Sequence, residues 1–308
     1  MSQSSQPRVS GINIFQKYWA TSLLALVIIA LIVGFLVGGD MRKFVWYNLV
    51  NLPLLGGAYL AGVIVAVVMK RQFTLAMGVT LCLSLLAIVP GALLLTIAPM
   101  AYPADISTTE PTLAIRVPTD EPMKVLLGGD GVEGNAHAKT PDMRWAYDLV
   151  IDPYVLRGAR LANYGCFGVT VVAPVSGLVV RAENELSDNR PGERATDEPV
   201  GNHVVIEPAG GGYLIVGHLR SQSVTVRAGD RVIEGEPIGE CGSSGSTVEP
   251  QVHVHYQRQH PAEVRENYAD GLPLYFRDHG GPAMPVGGVS SEGGEILALG
   301  DVIQHRAR

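Results

Sequence analysis

Residues 18–39, 44–69 and 73–99 carry no charged side chain, and each run exceeds the roughly 20 residues that a helix needs to cross a hydrocarbon core. No polar face recurs in any of them, whereas a helix on the surface of a soluble protein would show one. A cleaved leader does not fit either, because the first run is too long and two more follow it. The sequence therefore predicts three transmembrane helices, with residues 1–17 as a cytoplasmic tail and 18–101 as the membrane region. Arg8, Lys17, Lys70 and Arg71 fall on one side of such a bundle and Arg42 and Lys43 on the other. The more basic side faces the cytoplasm. An odd number of spans then sends the rest of the chain outward, as expected for a multi-pass protein of the cell (inner) membrane with an extracytoplasmic C-terminal domain. No Asp, Glu, Lys, Arg or His lies within a span, so the helices are expected to anchor rather than transport.

Charge divides the chain at the same place. The first 102 residues hold six basic residues and one acid, and the rest hold 17 basic and 28 acidic residues, so the formal −6 averages two unlike halves. Such a balance excludes a uniformly soluble enzyme, a disordered chain and a nucleic-acid binder with a basic face. All eight histidines lie in the acidic half. Residues 102–112, polar with two prolines, are expected to be a linker. Short β-branched runs divided by Gly and Pro follow at 168–173, 177–182, 203–207, 213–218, 223–226 and 252–257. Their spacing of about ten residues predicts a compact all-β domain, placed at 113–270. Residues 185–199 are expected to be a solvated insertion loop. The extension 271–308 has no readable structure, and its glycine-rich stretch 280–294 is expected to be a loose loop.

The strongest local signal is Gln251-Val252-His253-Val254-His255-Tyr256. On a strand, Gln251, His253 and His255 share one face while the valines point to the core. Two neutral imidazoles on one face suit a divalent metal such as zinc, and equally suit surface histidines of an edge strand. In Arg144-Trp145-Ala146-Tyr147-Asp148, alternation puts Arg144 and Asp148 on one face. An inward Asp needs a cation or hydrogen bonds, which a metal, a salt bridge or a loop cap could each supply. His218 ends the apolar run 213–218 and is as readily a core histidine. Cys166 and Cys241 lie in the half placed outside the cell, where a disulfide between them is allowed. Cys82 lies in the third apolar run.

Taken in order, Val172-Ala173-Pro174-Val175-Ser176-Gly177-Leu178-Val179, Gly201-Asn202-His203, Gly217-His218-Leu219, the Gly229-Asp230 to Ile238-Gly239 piece, Gly242-Ser243-Ser244-Gly245 and His253 resemble the lysostaphin and LytM-type zinc metallopeptidases over residues 142–257. The resemblance implies a β-sheet groove of the barrel-sandwich hybrid, or duplicated hybrid motif, type, with zinc on its concave face. It also implies an extended peptide substrate, as in peptidoglycan cross-bridges. By the same resemblance Asp148 and His253 are metal ligands, and His218 is the catalytic histidine that orients water or stabilises the tetrahedral intermediate. Two positions depart: Arg144 stands where the family has a histidine ligand, and Gln251 where it has the first strand histidine. Arginine stays protonated and cannot ligate zinc. His137, in an Asn-x-His segment similar to that of some membrane-linked relatives, is the expected third ligand, and His255 is the expected second catalytic histidine. The alternative is a non-catalytic domain that binds peptide or regulates a cell-wall hydrolase. A biotin- or lipoyl-type carrier, which some of these pieces also resemble, would need a turn lysine, and the last lysine is Lys139.

Overall fold

The computed structural model describes residues 11–96, 99–154, 158, 160–195, 197–265, 267–292 and 295–306. The chain divides into two compact units, Met1–Pro99 and Met100–Arg308. Of the tail expected at 1–17, residues 1–10 lie outside the described residues, and a helix has begun by Gly11.

The first unit holds helices α1 (Gly11–Val37), α2 (Gly39–Asn48), α3 (Leu52–Lys70) and α4 (Leu75–Thr96). Gly38 and Gly39 break α1 from α2 with φ of 85° and 55°, a left-handed conformation open to residues without a Cβ. No loop separates the first two apolar runs as a result, and Arg42 and Lys43 lie on α2, where Lys43 Nζ is 3.2 Å from Asp40. A 3-10 turn, Leu49–Asn51, joins α2 to α3, whose first turn accommodates Pro53 because no N–H is needed there. Two helical segments are long and apolar enough to cross a membrane, Tyr18–Val37 and Gly39–Lys70, instead of the three expected. Among the described residues the third run supplies a shorter apolar segment, Leu75–Val89. The orientation inferred from an odd count thus depends on α4 crossing as well.

The second unit is all-β, with β1 (Leu113–Ile115), β2 (Met123–Leu127), β3 (Tyr147–Ile151), β4 (Thr170–Val172), β5 (Gly177–Glu183), β6 (Asn202–Pro208), β7 (Tyr213–Leu219), β8 (Arg231–Val232), β9 (Pro237–Glu240), β10 (Val252–Gln257), β11 (Leu274–Phe276), β12 (Val289–Glu292), β13 (Glu295–Ala298) and β14 (Val302–Ile303). Eight of these form one antiparallel sheet in the order β14-β2-β3-β10-β7-β6-β5-β8. Its terminal strands do not pair with each other, so the sheet is open and the barrel closure of a hybrid fold is absent among the described residues. The run 223–226, expected as a strand, belongs to no ladder, although the Thr225 N–H bonds to the Ile238 carbonyl. The segment after 270 is part of this unit: β11 pairs with β1, β14 edges the main sheet, and Phe276 and Ile303 enter the core. Residues 280–294, expected as a loop, include β12.

Alternation along the central strands builds the site. Val252, Val254 and Tyr256 of β10, Tyr147 and Leu149 of β3, and Leu214 and Val216 of β7 enter one apolar core. Gln251, His253, His255 and Asp148 are therefore delivered to the opposite face. The expected insertion 185–199 straps the turn that precedes β10. Asp188 accepts from the Ser243 N–H at 2.7 Å, and Asn189 Nδ2 donates to the Gly245 carbonyl at 2.6 Å.

Gly201 packs closely against this turn. Its φ is 64°, and a Cβ there would stand 2.3 Å from the Ser244 carbonyl oxygen, so both backbones would have to move. Gly201→Ala is expected to destabilise the chain by on the order of 2 kcal/mol or more. Gly210→Ala, where a Cβ meets nothing within 4 Å, is the control in the same thermal unfolding series.

Candidate metal centre

His137, Asp148 and His253 reach one point from three separate elements. His137 sits on a 3-10 turn, Ala136–Lys139, capped by Asn135. The Asn135 Oδ1 accepts from the His137 N–H at 3.1 Å, and its Nδ2 donates to the carbonyls of Gly129 and Ala146 at 2.8 and 3.2 Å. The asparagine of Asn-x-His is thus the brace of the turn. Asp148 and His253 face each other across β3 and β10, and His253 also pairs with Gly217 on β7.

His137 Nε2 lies 2.8 Å from Asp148 Oδ2, and His253 Nδ1 lies 2.7 Å from Asp148 Oδ1. One donor atom from each residue falls within 4.8 Å of the other two. Two imidazoles and a carboxylate from separate elements form a donor set that fits zinc, which in three-ligand sites takes a further ligand. Burial opposes the charge of Asp148, yet the two histidines prevail and hold its carboxyl well below the usual range. His253 is pushed down mainly by burial, whereas His137 is raised on balance because Asp148 outweighs its desolvation.

Arg144 does not enter this site. It lies in the turn before β3, so the alternation expected to align it with Asp148 does not extend to it. Its Nε donates to the Tyr102 carbonyl at 2.9 Å, a guanidinium nitrogen lies 2.8 Å from Asp130 Oδ1, and the guanidinium stacks over Trp145. Tyr102, expected to open the linker, is accordingly buried.

His218 stands beside His253, ring centroids 5.6 Å apart, with φ of 58° at the end of β7. Its Nδ1 lies 2.8 Å from the Ser244 carbonyl, which can only accept, so Nδ1 carries the proton and Nε2 the lone pair. Burial, reinforced by His253, lowers its pKa to about 4 and keeps the ring neutral. Ser244 is held in turn by Oγ, which donates to the Leu219 carbonyl and accepts from the Asn202 N–H. Gly242 and Gly245 lie against neighbouring backbone: a Cβ on either would meet it, at Arg220 and at Gly201. Their role is the close approach that brings Ser244 to His218.

His255 follows His253 on the same face, 3% exposed, and both ring nitrogens are engaged, by His253 and by Gln257. Burial and the neighbouring His253 hold it well below the ordinary histidine range. Gln251, immediately before β10, is buried and bridges to Gly242. Cys166 and Cys241 are joined as a disulfide, and Cys82 is free. Sequence reasoning did not reach the parts played by Asn135 and Ser244, which act through contacts with other segments, or by Gln257, whose role depends on which way its amide turns between two near neighbours.

Comparison with known proteins finds a Peptidase family M23 domain over residues 158–266. The match includes His218 and His253, while His137 and Asp148 precede it. Among solved structures, a Pseudomonas aeruginosa protein assigned to peptidase M23 is 16% identical, covering 47% of this chain and 45% of that one with a TM-score of 0.29. The catalytic domain of the antimicrobial peptidase lysostaphin from Staphylococcus simulans is 21% identical, covering 41% and 73% with a TM-score of 0.27. A SpoIIIAH and SpoIIQ complex gives 19%, 51% and 96% with a TM-score of 0.33. The chain therefore spans less than half of the first of these proteins. No curated protein matches it.

Proposed function

We propose that this chain, which carries a Peptidase family M23 domain at residues 158–266, is a membrane-anchored zinc metalloendopeptidase acting on extracytoplasmic peptides such as peptidoglycan cross-links. The observation that carries this reading is the convergence of His137, Asp148 and His253 within 4.8 Å, with Arg144 bonded elsewhere. His137, supplied by the Asn135-capped turn, takes the place of the ligand that Arg144 cannot provide.

His137 Nε2, an Asp148 oxygen and His253 Nδ1 would hold the ion. When bound, zinc supplies Lewis-acid polarisation of the scissile carbonyl and acidifies water. The protein's own contribution centres on His218. With its Nδ1 proton committed to Ser244, His218 offers Nε2 as an acceptor that orients water and takes its proton. The Ser244 carbonyl then faces the imidazolium that results, and fixes the ring throughout.

The test uses the full chain in detergent, measuring zinc content and hydrolysis of peptidoglycan-derived and oligoglycine peptides. About one zinc per chain and hydrolysis abolished by chelation are expected. Hydrolysis indifferent to chelation would refute the proposal. His218→Ala is expected to lower kcat by about 10²–10⁴-fold with zinc content unchanged, since this side chain moves a proton and holds no metal.

A second reading, a non-catalytic domain that binds peptide or regulates a cell-wall hydrolase, is favoured by one observation, the buried Gln251 at a position where the resembling enzymes have a histidine. It is distinguished by peptide binding that persists without zinc and without cleavage.

A further inference from the structure

Behind His253 runs a line of buried side chains that the proposed reaction does not use. His253 Nε2 lies 2.9 Å from His255 Nδ1, and His255 Nε2 lies 3.1 Å from Gln257 Oε1. Gln257 Nε2 donates to the Gln259 carbonyl at 2.7 Å. His253, His255 and Gln257 are 2%, 3% and 4% exposed, so these bonds are largely shielded from solvent.

The line has one direction. A backbone carbonyl can only accept, so the Gln259 carbonyl turns the amide nitrogen of Gln257 toward itself and the amide oxygen toward His255. An amide oxygen accepts too, so His255 must carry its proton on Nε2. A neutral His255 then has its lone pair on Nδ1, which accepts from His253 Nε2–H. The lone pair of His253 is thereby left on Nδ1, the atom 2.7 Å from Asp148 Oδ1. Two acceptors at that separation need a cation to share.

We propose that His255 and Gln257 are positioning residues that fix the Nε2–H tautomer of His253 and so present its Nδ1 to a divalent metal. His255 then touches neither substrate nor ion. Gln259 is locked in turn: its Nε2 donates to Asp270 Oδ2 at 2.9 Å and its Oε1 accepts from the Asp270 N–H at 2.7 Å. The direction of the line is anchored two residues past the end of β10, in the segment that precedes β11. Carboxylates and carbonyls commonly orient metal-bound histidines in this way, and losing such a partner costs about 10–100-fold in metal affinity. Here a second histidine and a glutamine do that work. The inference rests on the metal centre proposed above.

Two measurements on the full chain in detergent test it. The first is the ring-nitrogen spectrum of histidine labelled with ¹⁵N, which reads tautomers directly and needs no metal for His255. His255 protonated on Nε2 is expected, and protonation on Nδ1 would overturn the proposal whether or not zinc binds. The second is zinc affinity by chelator competition. His255→Leu, which cannot accept from His253, is expected to weaken zinc binding by about 10–100-fold. His255→Gln, able to accept at Oε1 and donate at Nε2, is expected to restore most of that loss, a rescue that a purely space-filling role would not produce. Wild type and His255→Leu binding zinc equally would refute the positioning role alone, whereas a wild type that binds no zinc would refute the metal centre itself.

Discussion

Replacing His253 or Asp148 by alanine in the full chain is expected to remove bound zinc, from about one ion per chain to none, and hydrolysis with it. Each loses one of three protein ligands, and at Asp148 the loss also removes the carboxylate that bridges both histidines. His137→Ala is the informative third variant, since this residue lies upstream of the matched family segment. Loss of zinc there would identify the Asn135-capped turn as the supplier of the third ligand. Arg144→Gln should retain its metal while becoming less stable, because Arg144 is buried against Asp130, Tyr102 and Trp145 rather than at the centre. Metal content by elemental analysis reads all four variants. Full zinc occupancy in Asp148→Ala would overturn the ligand set.

Opening the Cys166–Cys241 disulfide is the second large effect expected. The bridge closes 75 residues of chain, which in the chain-entropy model corresponds to about 4 kcal/mol, and measured losses run to about 2–5 kcal/mol. For a unit of this size that lowers Tm by roughly 5–15 °C. The effect should also reach the site, because Cys241 immediately precedes the turn that carries Ser244 to His218. Its N–H and carbonyl bond to Val169 and Gly168 at 2.8 Å, so the bridge and these two bonds pin one point. Alkylation of the unreduced chain should modify one cysteine, Cys82, and reduction should expose all three. An unchanged Tm on reduction, with three thiols already open, would refute the bridge.

The face on which His253 would lie was legible in the sequence because side-chain direction on a strand is a local property. Alternation of Val252 and Val254 with Gln251, His253 and His255 needs no tertiary information. The same alternation misplaced Arg144, since a strand pattern carries no mark of where the strand starts, and β3 begins only at Tyr147. The strand expected at 223–226 was lost for a related reason: a β-branched run forms a ladder only when a neighbour is in register. The count of spans changed at the third apolar run, whose described apolar segment, Leu75–Val89, is shorter than the other two. For His255, spacing places it on the face of His253, and the structure adds that both of its nitrogens are engaged by neighbours on its own strand.

What the sequence determined by itself is what local chemistry can decide: an apolar helical part, an acidic β part holding every histidine, and the face of β10 on which metal-binding groups would lie. What only the tertiary structure decided is which of those groups meet. Cross-strand register sets His253 against Asp148, a capped turn brings His137 to them from 11 residues before Asp148, and one backbone carbonyl at Gln259 orients the amide and rings that end at His253. Register is set by a contact between segments 105 residues apart, while turn geometry and hydrogen-bond direction depend on how nearby residues fold back on one another, and residue spacing alone states neither.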